Sequence, residues 1–145
     1  MFYKKTDKME VEDLRIGNFI NFEGDFYTVE QICFDGWLQL DNGQLNTYIS
    51  ECTPIEITEE WLMKLGFKKH KNIIGSYIKT PKNTAKGYGF RLHTQHPFDE
   101  LFSEIYEIYM LESQIHVYGG LKYIHHLQNL YYALTSEELK YKDIK

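Results

Sequence analysis

The segment FDGWLQLDNG, residues 34–43, decides the fold of the N-terminal part of the chain. Asp35-Gly36 predicts a turn, and the pattern from Trp37 to Asp41 then alternates apolar and polar residues, as in a strand with one buried face. Asn42-Gly43 follows directly, and this dipeptide is the strongest short-range indication of a β-hairpin. The segment therefore predicts a turn, a strand and a tight hairpin in succession.

The pattern of short strands and turns extends on both sides of this segment. Five short strands are predicted, and they end at turn residues or at polar stretches. They are Ile16–Phe22, Phe26–Ile32, Trp37–Asp41, Tyr48–Ile49 and Pro54–Ile57. So many short strands in sequence favour a small closed or half-closed barrel over an open sheet, because closure removes exposed edges. Residues 1–57 are therefore predicted to form an SH3-like β-barrel.

The rest of the chain, 58–145, predicts a second α+β lobe that shares a core with the barrel, and the two could equally form one integrated domain. Thr58 is suited to cap a linking helix, and Gly66 is suited to end it. Strand patterns follow and predict a small antiparallel sheet. They are Ile73–Lys79, Gly87–His93, Ile105–Leu111 and Gln114–Tyr118, with Gly119-Gly120 expected to break the last. An amphipathic helix is predicted from about Leu121 to Leu134, so the fold class is α+β.

Composition indicates a well-packed, cytoplasmic protein that does not cross a membrane. Apolar residues make up 43% of the chain and aromatic residues 16%, which is enough for a core. No stretch approaches the roughly 20 apolar residues that span a bilayer. Cys33 and Cys52 stand apart without metal-binding spacing and are expected to be buried free thiols, although pairing across adjacent strands is the alternative.

Charge is divided unevenly along the chain. Between Trp61 and Phe98 there are eight basic residues and no acidic one, whereas the rest of the chain holds the other eight basic residues and all 21 acidic ones. This positively charged window is the feature most suited to contact a charged partner or a neighbouring subunit. The sequence leaves open whether the window forms one face or is spread around the sheet.

The window supplies the candidate binding residues. Segment KGYGFRLH, residues 86–93, follows the first half of an RNA-recognition signature, although the companion strand is too close and no helix intervenes. Phosphate contacts are predicted from the basic side chains and base stacking from the aromatic ones. The basic set is Lys69, Lys71, Lys79, Lys82, Lys86 and Arg91, and the aromatic pair is Tyr88 and Phe90.

Patterns typical of catalysis or metal binding are weak. Neither His93-x-x-His96 nor the adjacent pair His125-His126 has the spacing of a metal site, and both are expected to be solvated or interfacial. His125, Asn129 and Tyr132 fall on one helix face, which is expected to be a polar outer face or a surface that reads a ligand. No motif of a hydrolase, phosphate loop or metalloprotease is present. We therefore expect no enzyme activity, no cofactor and no metal.

Three motifs in order resemble a family of small uncharacterised proteins from gut bacteria and their phages. They are LRIGN at residues 14–18, TEEWL with the following LGF at residues 58–67, and YIHHLQNLYYALT at residues 123–135. The resemblance implies an intact folded unit and a phage or mobile-element setting. It implies no activity.

Two functions remain open at this point. The first is a non-catalytic binding module that contacts nucleic acid, or a small signalling nucleotide used in host defence, through the lysine-rich window. The alternative is a structural protein or an inhibitor of a host protein. In that case the basic window and the acidic remainder of the chain would pair between subunits of a homo-oligomer, or with the host protein.

Overall fold

A computed structural model describes residues 8–82, 90–94, 106–110 and 115–141. The chain divides into two compact units: residues 1–55 with 123–129, and residues 56–122 with 130–145. The boundary after Ile55 lies close to the expected one after Ile57. The C-terminal helix contributes its first half to one unit and its second half to the other. The two units are therefore not two continuous segments of the chain, as the division into 1–57 and 58–145 supposed.

The first unit contains a four-stranded antiparallel sheet in the order β1-β2-β3-β4. The strands are β1 (Phe19–Phe22), β2 (Asp25–Ile32), β3 (Trp37–Leu40) and β4 (Leu45–Tyr48). Glu23 and Gly24, both at positive φ, form the two-residue turn between β1 and β2. The predicted hairpin at Asn42-Gly43 is confirmed, since β3 and β4 pair around it from Leu40↔Leu45 outward.

The first sheet is not closed into a barrel among the described residues. Its order leaves β1 and β4 as edge strands, and the free side of β1 is met by a single bridge between Asn21 and Thr53. The predicted strand at Tyr48-Ile49 is replaced by β4, which ends at Tyr48, and by a 3-10 turn at Ile49–Glu51. Pro54–Ile57 is not assigned as a strand.

The core of the first unit lies on the inner face of this sheet. Its buried members are apolar and come from every strand except β4, together with the segments before and after the sheet. They are Met9, Leu14, Ile20, Val29, Leu38, Leu40 and Cys52. Leu38 and Leu40 are fully buried, which confirms the alternation that predicted β3.

The second unit begins with helix α1 (Glu59–Lys64), whose ends follow the predicted capping. The Thr58 side chain accepts a hydrogen bond from the Trp61 backbone N–H at 3.2 Å. At the other end Gly66 adopts φ +92°, which is easily reached by glycine. The Gly66 N–H donates to the Met63 carbonyl and the Phe67 N–H to the Leu62 carbonyl, a paired arrangement that ends helices sharply.

A five-stranded antiparallel sheet follows, in sequence order from β5 to β9. The strands are β5 (Lys68–Lys69), β6 (Ser76–Lys79), β7 (Phe90–Thr94), β8 (Tyr106–Met110) and β9 (Ile115–Leu121). The prediction that Gly119-Gly120 breaks the last strand is wrong, because β9 continues to Leu121. The pairing with β8 instead shifts register between Tyr106 and Ile108, so the glycines lie at a bulge.

Helix α2 (Ile124–Thr135) matches the predicted C-terminal helix within a few residues. Ile124, Leu127 and Tyr131 are fully buried as expected, but Leu134 is exposed. In the second unit the Tyr131 ring packs against Phe90 with centroids 5.0 Å apart and against Phe67 at 6.4 Å. This aromatic cluster forms part of the core of that unit.

Candidate functional site

The candidate site is built on the hairpin of β5 and β6, which begins where α1 ends. The sharp stop at Gly66 places Phe67 in the core and starts β5 on the next residue. Lys68 pairs with Ile78 and Lys69 with Tyr77. The chain then turns through residues 70–75, so the prediction of a strand from Ile73 holds only from Ser76 onward.

The turn of this hairpin is held by its own hydrogen bonds. The His70 N–H donates to the Ser76 carbonyl at 2.8 Å, and the Asn72 N–H donates to His70 Nδ1 at 3.1 Å. Gly75 adopts φ +81°, a conformation that disfavours a longer strand here. The turn therefore has a defined shape that presents Ile73 and Ile74 to solvent.

Cross-strand pairing separates the two lysines of β5. Lys68, Ile78 and Arg91 form one row across three strands, since directly paired residues share a face. Ile78 and Arg91 are half-buried and Lys68 is exposed, so this row belongs to the accessible face. Lys69 belongs to the adjacent row with Tyr77 and Leu92, both of which are buried.

Lys69 is paired within the chain. Its Nζ forms a salt bridge with the Glu59 carboxylate of α1. The hydrogen bond with Glu59, together with the attraction of its charge, raises the pKa of Lys69, so the ammonium form is favoured. Because Glu59 already balances this charge, Lys69 offers less to an anion than Lys68 does.

A hollow of about 550 Å³ lies beside the hairpin. Its lining combines lysines with polar, small and apolar residues from both strands, from the turn between them and from the glycine that ends α1. These residues are Gly66, Lys68, Lys69, His70, Lys71, Asn72, Ile78, Lys79 and Thr80. No acidic residue lines it among those that the structure describes, and we call it the lysine-lined hollow. A concave site edged by charge of one sign concentrates the field on an incoming ion.

A neighbouring hollow of about 660 Å³ has a mixed lining. Lys79 and Thr80 belong to both hollows, but Glu137 and Glu138 also line the second. The Glu137 carboxylate accepts a 3.0 Å hydrogen bond from the Lys82 backbone N–H. The acidic groups make this second hollow less suited to an anionic ligand.

The predicted contact residues are only partly brought together. Lys69, Lys71 and Lys79 line the lysine-lined hollow, and Lys82 lines its neighbour. Arg91 shares a row with Lys68, a residue that the sequence did not single out. The alternation of side chains along a strand would place Lys68 on the accessible face. The run KKHK, residues 68–71, does not show where β5 begins, so the sequence alone could not apply this alternation. Lys86 and Tyr88 lie outside the described residues.

The predicted stacking role of Phe90 does not fit the structure. Its side chain is 0% exposed and lies 6.1 Å from Phe67, centroid to centroid, in the aromatic cluster. On β7 the buried residues Phe90 and Leu92 alternate with the half-buried Arg91 and His93. The aromatic residue therefore occupies the core face, and the basic residue the accessible one.

The first unit contains a buried polar cluster around Asn18. The Gln128 side chain accepts from the Phe19 N–H at 2.8 Å and donates to the Gly17 carbonyl at 3.0 Å. Asn129 donates to the Asp13 carbonyl at 2.9 Å and accepts from the Asn18 amide at 2.8 Å. These bonds are all internal, so the cluster fixes the segment before β1 and leaves little for a ligand.

His125 is buried within the first unit, whereas a solvated or interfacial position was expected. Its side chain is 1% exposed, and neither ring nitrogen has a hydrogen-bond partner among the described residues. Burial, with a smaller contribution from His126, lowers the pKa of His125 to about 4, and Asp13 opposes this weakly. The ring is therefore neutral and stacks beside Tyr123.

The described residues contain neither a cluster suited to a metal ion nor a membrane-spanning helix. Within those residues, no three His, Cys, Asp or Glu side chains come together as a metal site would require. In the same part of the chain, no helix is both long and apolar enough to cross a membrane. Cys33 and Cys52 are free thiols.

Comparison of the chain with protein-family models, with curated proteins and with solved structures finds no match.

Proposed function

We propose that this protein is a non-catalytic binding module that contacts nucleic acid through the lysine-lined hollow and the row formed by Lys68, Ile78 and Arg91. The observation that carries the proposal is the lining itself, which among the described residues contains four lysines and no acidic residue, although Glu59 balances the charge of one of them, Lys69. Phosphate groups along a nucleic acid are the matching partner, because each contact releases bound counterions and so favours association.

The accessible row adds a second kind of phosphate contact. Arg91 carries a planar guanidinium that suits two-point binding of a phosphate, whereas Lys68 supplies a mobile point charge. Both belong to the same face of the sheet, two strands apart. A sugar-phosphate chain that follows this row would meet both side chains.

A small nucleotide is the second candidate ligand, and the size of the hollow favours it. Ligand pockets usually enclose about 300–1,000 Å³. The lysine-lined hollow, at about 550 Å³, falls within that range. The two ligands share phosphate chemistry and differ in how salt affects their binding.

The test is a titration of labelled single-stranded and duplex oligonucleotides, followed by fluorescence anisotropy at several salt concentrations. Nucleic-acid binding predicts an affinity that falls steeply between about 50 and 200 mM salt. A nucleotide pocket predicts a rise in melting temperature with mononucleotides or cyclic dinucleotides that survives moderate salt. Absence of binding to oligonucleotides at low salt would refute the first candidate.

A matched pair of variants locates the contact. Lys68→Glu should weaken oligonucleotide binding and lower the salt slope by about 1, as expected when one phosphate contact is lost. Lys8→Glu makes the same charge change at an exposed lysine of the first unit and should leave the slope unchanged. Equal effects of the two variants would indicate general electrostatic attraction and not this site.

We also infer that the first sheet is a half-closed SH3-like sheet. The support is its succession of elements: a four-strand meander, a 3-10 turn at Ile49–Glu51 and a bridge from Thr53 to Asn21 on β1. The Asn21 and Thr53 backbones exchange two hydrogen bonds of 3.0 Å. A fifth strand that began here would lie along the free side of β1, as closure requires.

The motif resemblance supports a phage or mobile-element setting for this module, and the free thiols of Cys33 and Cys52 support a cytoplasmic location.

A further inference from the structure

The tip of the β5–β6 hairpin exposes two apolar side chains beside the lysine-lined hollow. Ile74 is 66% exposed and Ile73 is 39% exposed. Large apolar residues in such a position need an explanation only when they are grouped or specially placed. These two are adjacent in sequence and sit on a turn held by hydrogen bonds from His70 and Asn72. We call Ile73 and Ile74 the apolar tip.

The surroundings of the apolar tip are basic. Lys68 and Lys71 precede it, as does Lys69, whose charge Glu59 balances, and the sequence has no acidic residue between Trp61 and Phe98. A partner that satisfies both features must offer closely spaced negative charge next to apolar surface. A nucleic acid does so, because phosphates flank the faces and edges of stacked bases. The surface of an anionic bilayer offers the same two features.

The shape of the site favours the nucleic acid. His70, Lys71 and Asn72, from the turn, line the hollow together with residues of both strands. The basic groups therefore surround a concavity, whereas a planar lipid surface would leave that concavity unfilled. A sugar-phosphate chain presents its phosphates in a row, which suits a concavity lined by basic side chains.

The chemistry of the tip favours a duplex over a single strand. Unpaired bases are usually held by flat aromatic rings, and Phe90, the one of the two expected stacking residues that the structure describes, is buried. Isoleucine has no flat face to stack on a base. Apolar aliphatic side chains instead act as wedges that enter a base step from the minor groove and partly unstack it.

We propose that Ile73 and Ile74 form a wedge that inserts at a base step of duplex DNA while the surrounding lysines bind the phosphates on either side. This proposal rests on the proposed nucleic-acid function and deepens it, since it names the form of nucleic acid and the base-contacting residues. Insertion is favoured at flexible pyrimidine–purine steps, which cost least to unstack.

The test compares two isoleucines of similar exposure. Ile74→Ser removes the more exposed member of the wedge, and Ile16→Ser removes an isoleucine that is 60% exposed in the first unit. Each protein is titrated against a short duplex that carries 2-aminopurine at a TA or CA step, with anisotropy and fluorescence followed together. Unstacking increases the fluorescence of 2-aminopurine.

The expected result is a fluorescence rise with the wild type and with Ile16→Ser but not with Ile74→Ser. Affinity should fall about tenfold in Ile74→Ser, from the lost apolar burial. The salt slope should stay the same, since an apolar contact releases no counterions. Circular dichroism confirms that both variants are folded.

Two outcomes separate failure of the wedge from failure of the proposed function. Salt-dependent duplex binding that is equal in the wild type and Ile74→Ser, without a fluorescence change, would overturn the wedge and leave the nucleic-acid function intact. No duplex or single-strand binding, together with Ile74-dependent sedimentation with phosphatidylserine vesicles, would overturn both and assign the tip to a lipid surface.

Discussion

The side-chain amide of Asn18 donates a 2.8 Å hydrogen bond to that of Asn129, which lies 111 residues further along the chain. Asn18 is 0% exposed, and its amide oxygen also accepts from the Arg15 N–H at 2.7 Å. Two of the motifs behind the family resemblance, LRIGN and YIHHLQNLYYALT, therefore contact each other in the first unit. Their occurrence in one chain has a structural explanation that requires no shared active site.

Asn18→Ala should destabilise the protein by about 2 kcal/mol. The substitution removes one partner from Asn129 and leaves the Arg15 N–H without its side-chain acceptor. Urea unfolding followed by circular dichroism measures the loss. Asn46→Ala, at an exposed position of β4, is the matched control and should change stability by less than about 0.5 kcal/mol. Similar values for the two variants would show that the buried amide bonds contribute little.

Stability should fall as the pH is lowered from about 6.5 to 4 because of His125. Burial lowers the pKa of His125 to about 4, whereas the unfolded chain takes up the proton near the ordinary value. The unfolded state therefore binds more protons in this window, so stability rises with pH up to about 6.5 and is then independent of this group. The contribution of His125 to the loss is about 2–3 kcal/mol.

Unfolding by urea at pH 7, 6, 5 and 4.5 checks this dependence. His125→Phe keeps a ring in the buried site but cannot take up a proton, so its stability should decline less in acid than that of the wild type. His126→Gln, one residue further along and half-buried, should retain the acid loss. Parallel profiles for the wild type and His125→Phe would assign the pH dependence to other groups.

Tyr131→Phe should leave stability unchanged or raise it slightly. The Tyr131 hydroxyl is buried without a hydrogen-bond partner in the described part of the chain, and burial raises its pKa to about 12. Removing a buried hydroxyl that lacks a partner removes a desolvation cost. Phe90→Ala, in the same aromatic cluster, should instead cost about 3–5 kcal/mol because it opens a cavity. Thermal unfolding of both variants gives the comparison, and a large loss in Tyr131→Phe would reveal a partner for the hydroxyl.

Local signals in the sequence predicted the fold well where geometry depends on neighbouring residues. Thr58 and Gly66 fix the ends of α1, and Asn42-Gly43 fixes a hairpin, because caps and turns need particular side chains at particular backbone angles. The sequence did not reveal that Gly119-Gly120 forms a bulge inside β9, since glycine is equally suited to a break. Pairing with β8 decides between the two.

The candidate site was predicted less well because it depends on which residues of each strand point to the accessible face of the sheet. The window of positive charge is visible in the sequence, but which lysines share a face is set by the register of β5 on β6. One residue of shift exchanges Lys68 for Lys69 on the accessible face. The same alternation places Phe90 in the core, where the partial RNA-recognition signature of residues 86–93 suggested an exposed ring.

Cys52 should resist alkylation in the folded protein. Burial, with a smaller effect of the neighbouring Glu51, raises the pKa of the Cys52 thiol to about 11, so little thiolate forms at pH 8. Cys33 is half-buried and should be modified first. Iodoacetamide labelling followed by peptide mass spectrometry measures the two rates, and denaturant should equalise them. Rapid native labelling of Cys52 would show that this part of the first unit opens readily.

Glu59→Gln should strengthen oligonucleotide binding about two- to fivefold at low salt, since it removes the acidic partner of Lys69 next to the lysine-lined hollow. By the same reasoning Lys69→Gln should weaken binding less than Lys68→Gln does, because the charge of Lys69 is already balanced while Lys68 lies on the accessible row. Anisotropy titrations of the three variants at two salt concentrations test this order, and the effect of Glu59→Gln should fade as salt rises. If Lys69→Gln is the more damaging lysine variant and Glu59→Gln has no effect, the phosphate contacts lie on the opposite face of β5, and the assignment of the binding surface to Lys68 and Arg91 is wrong.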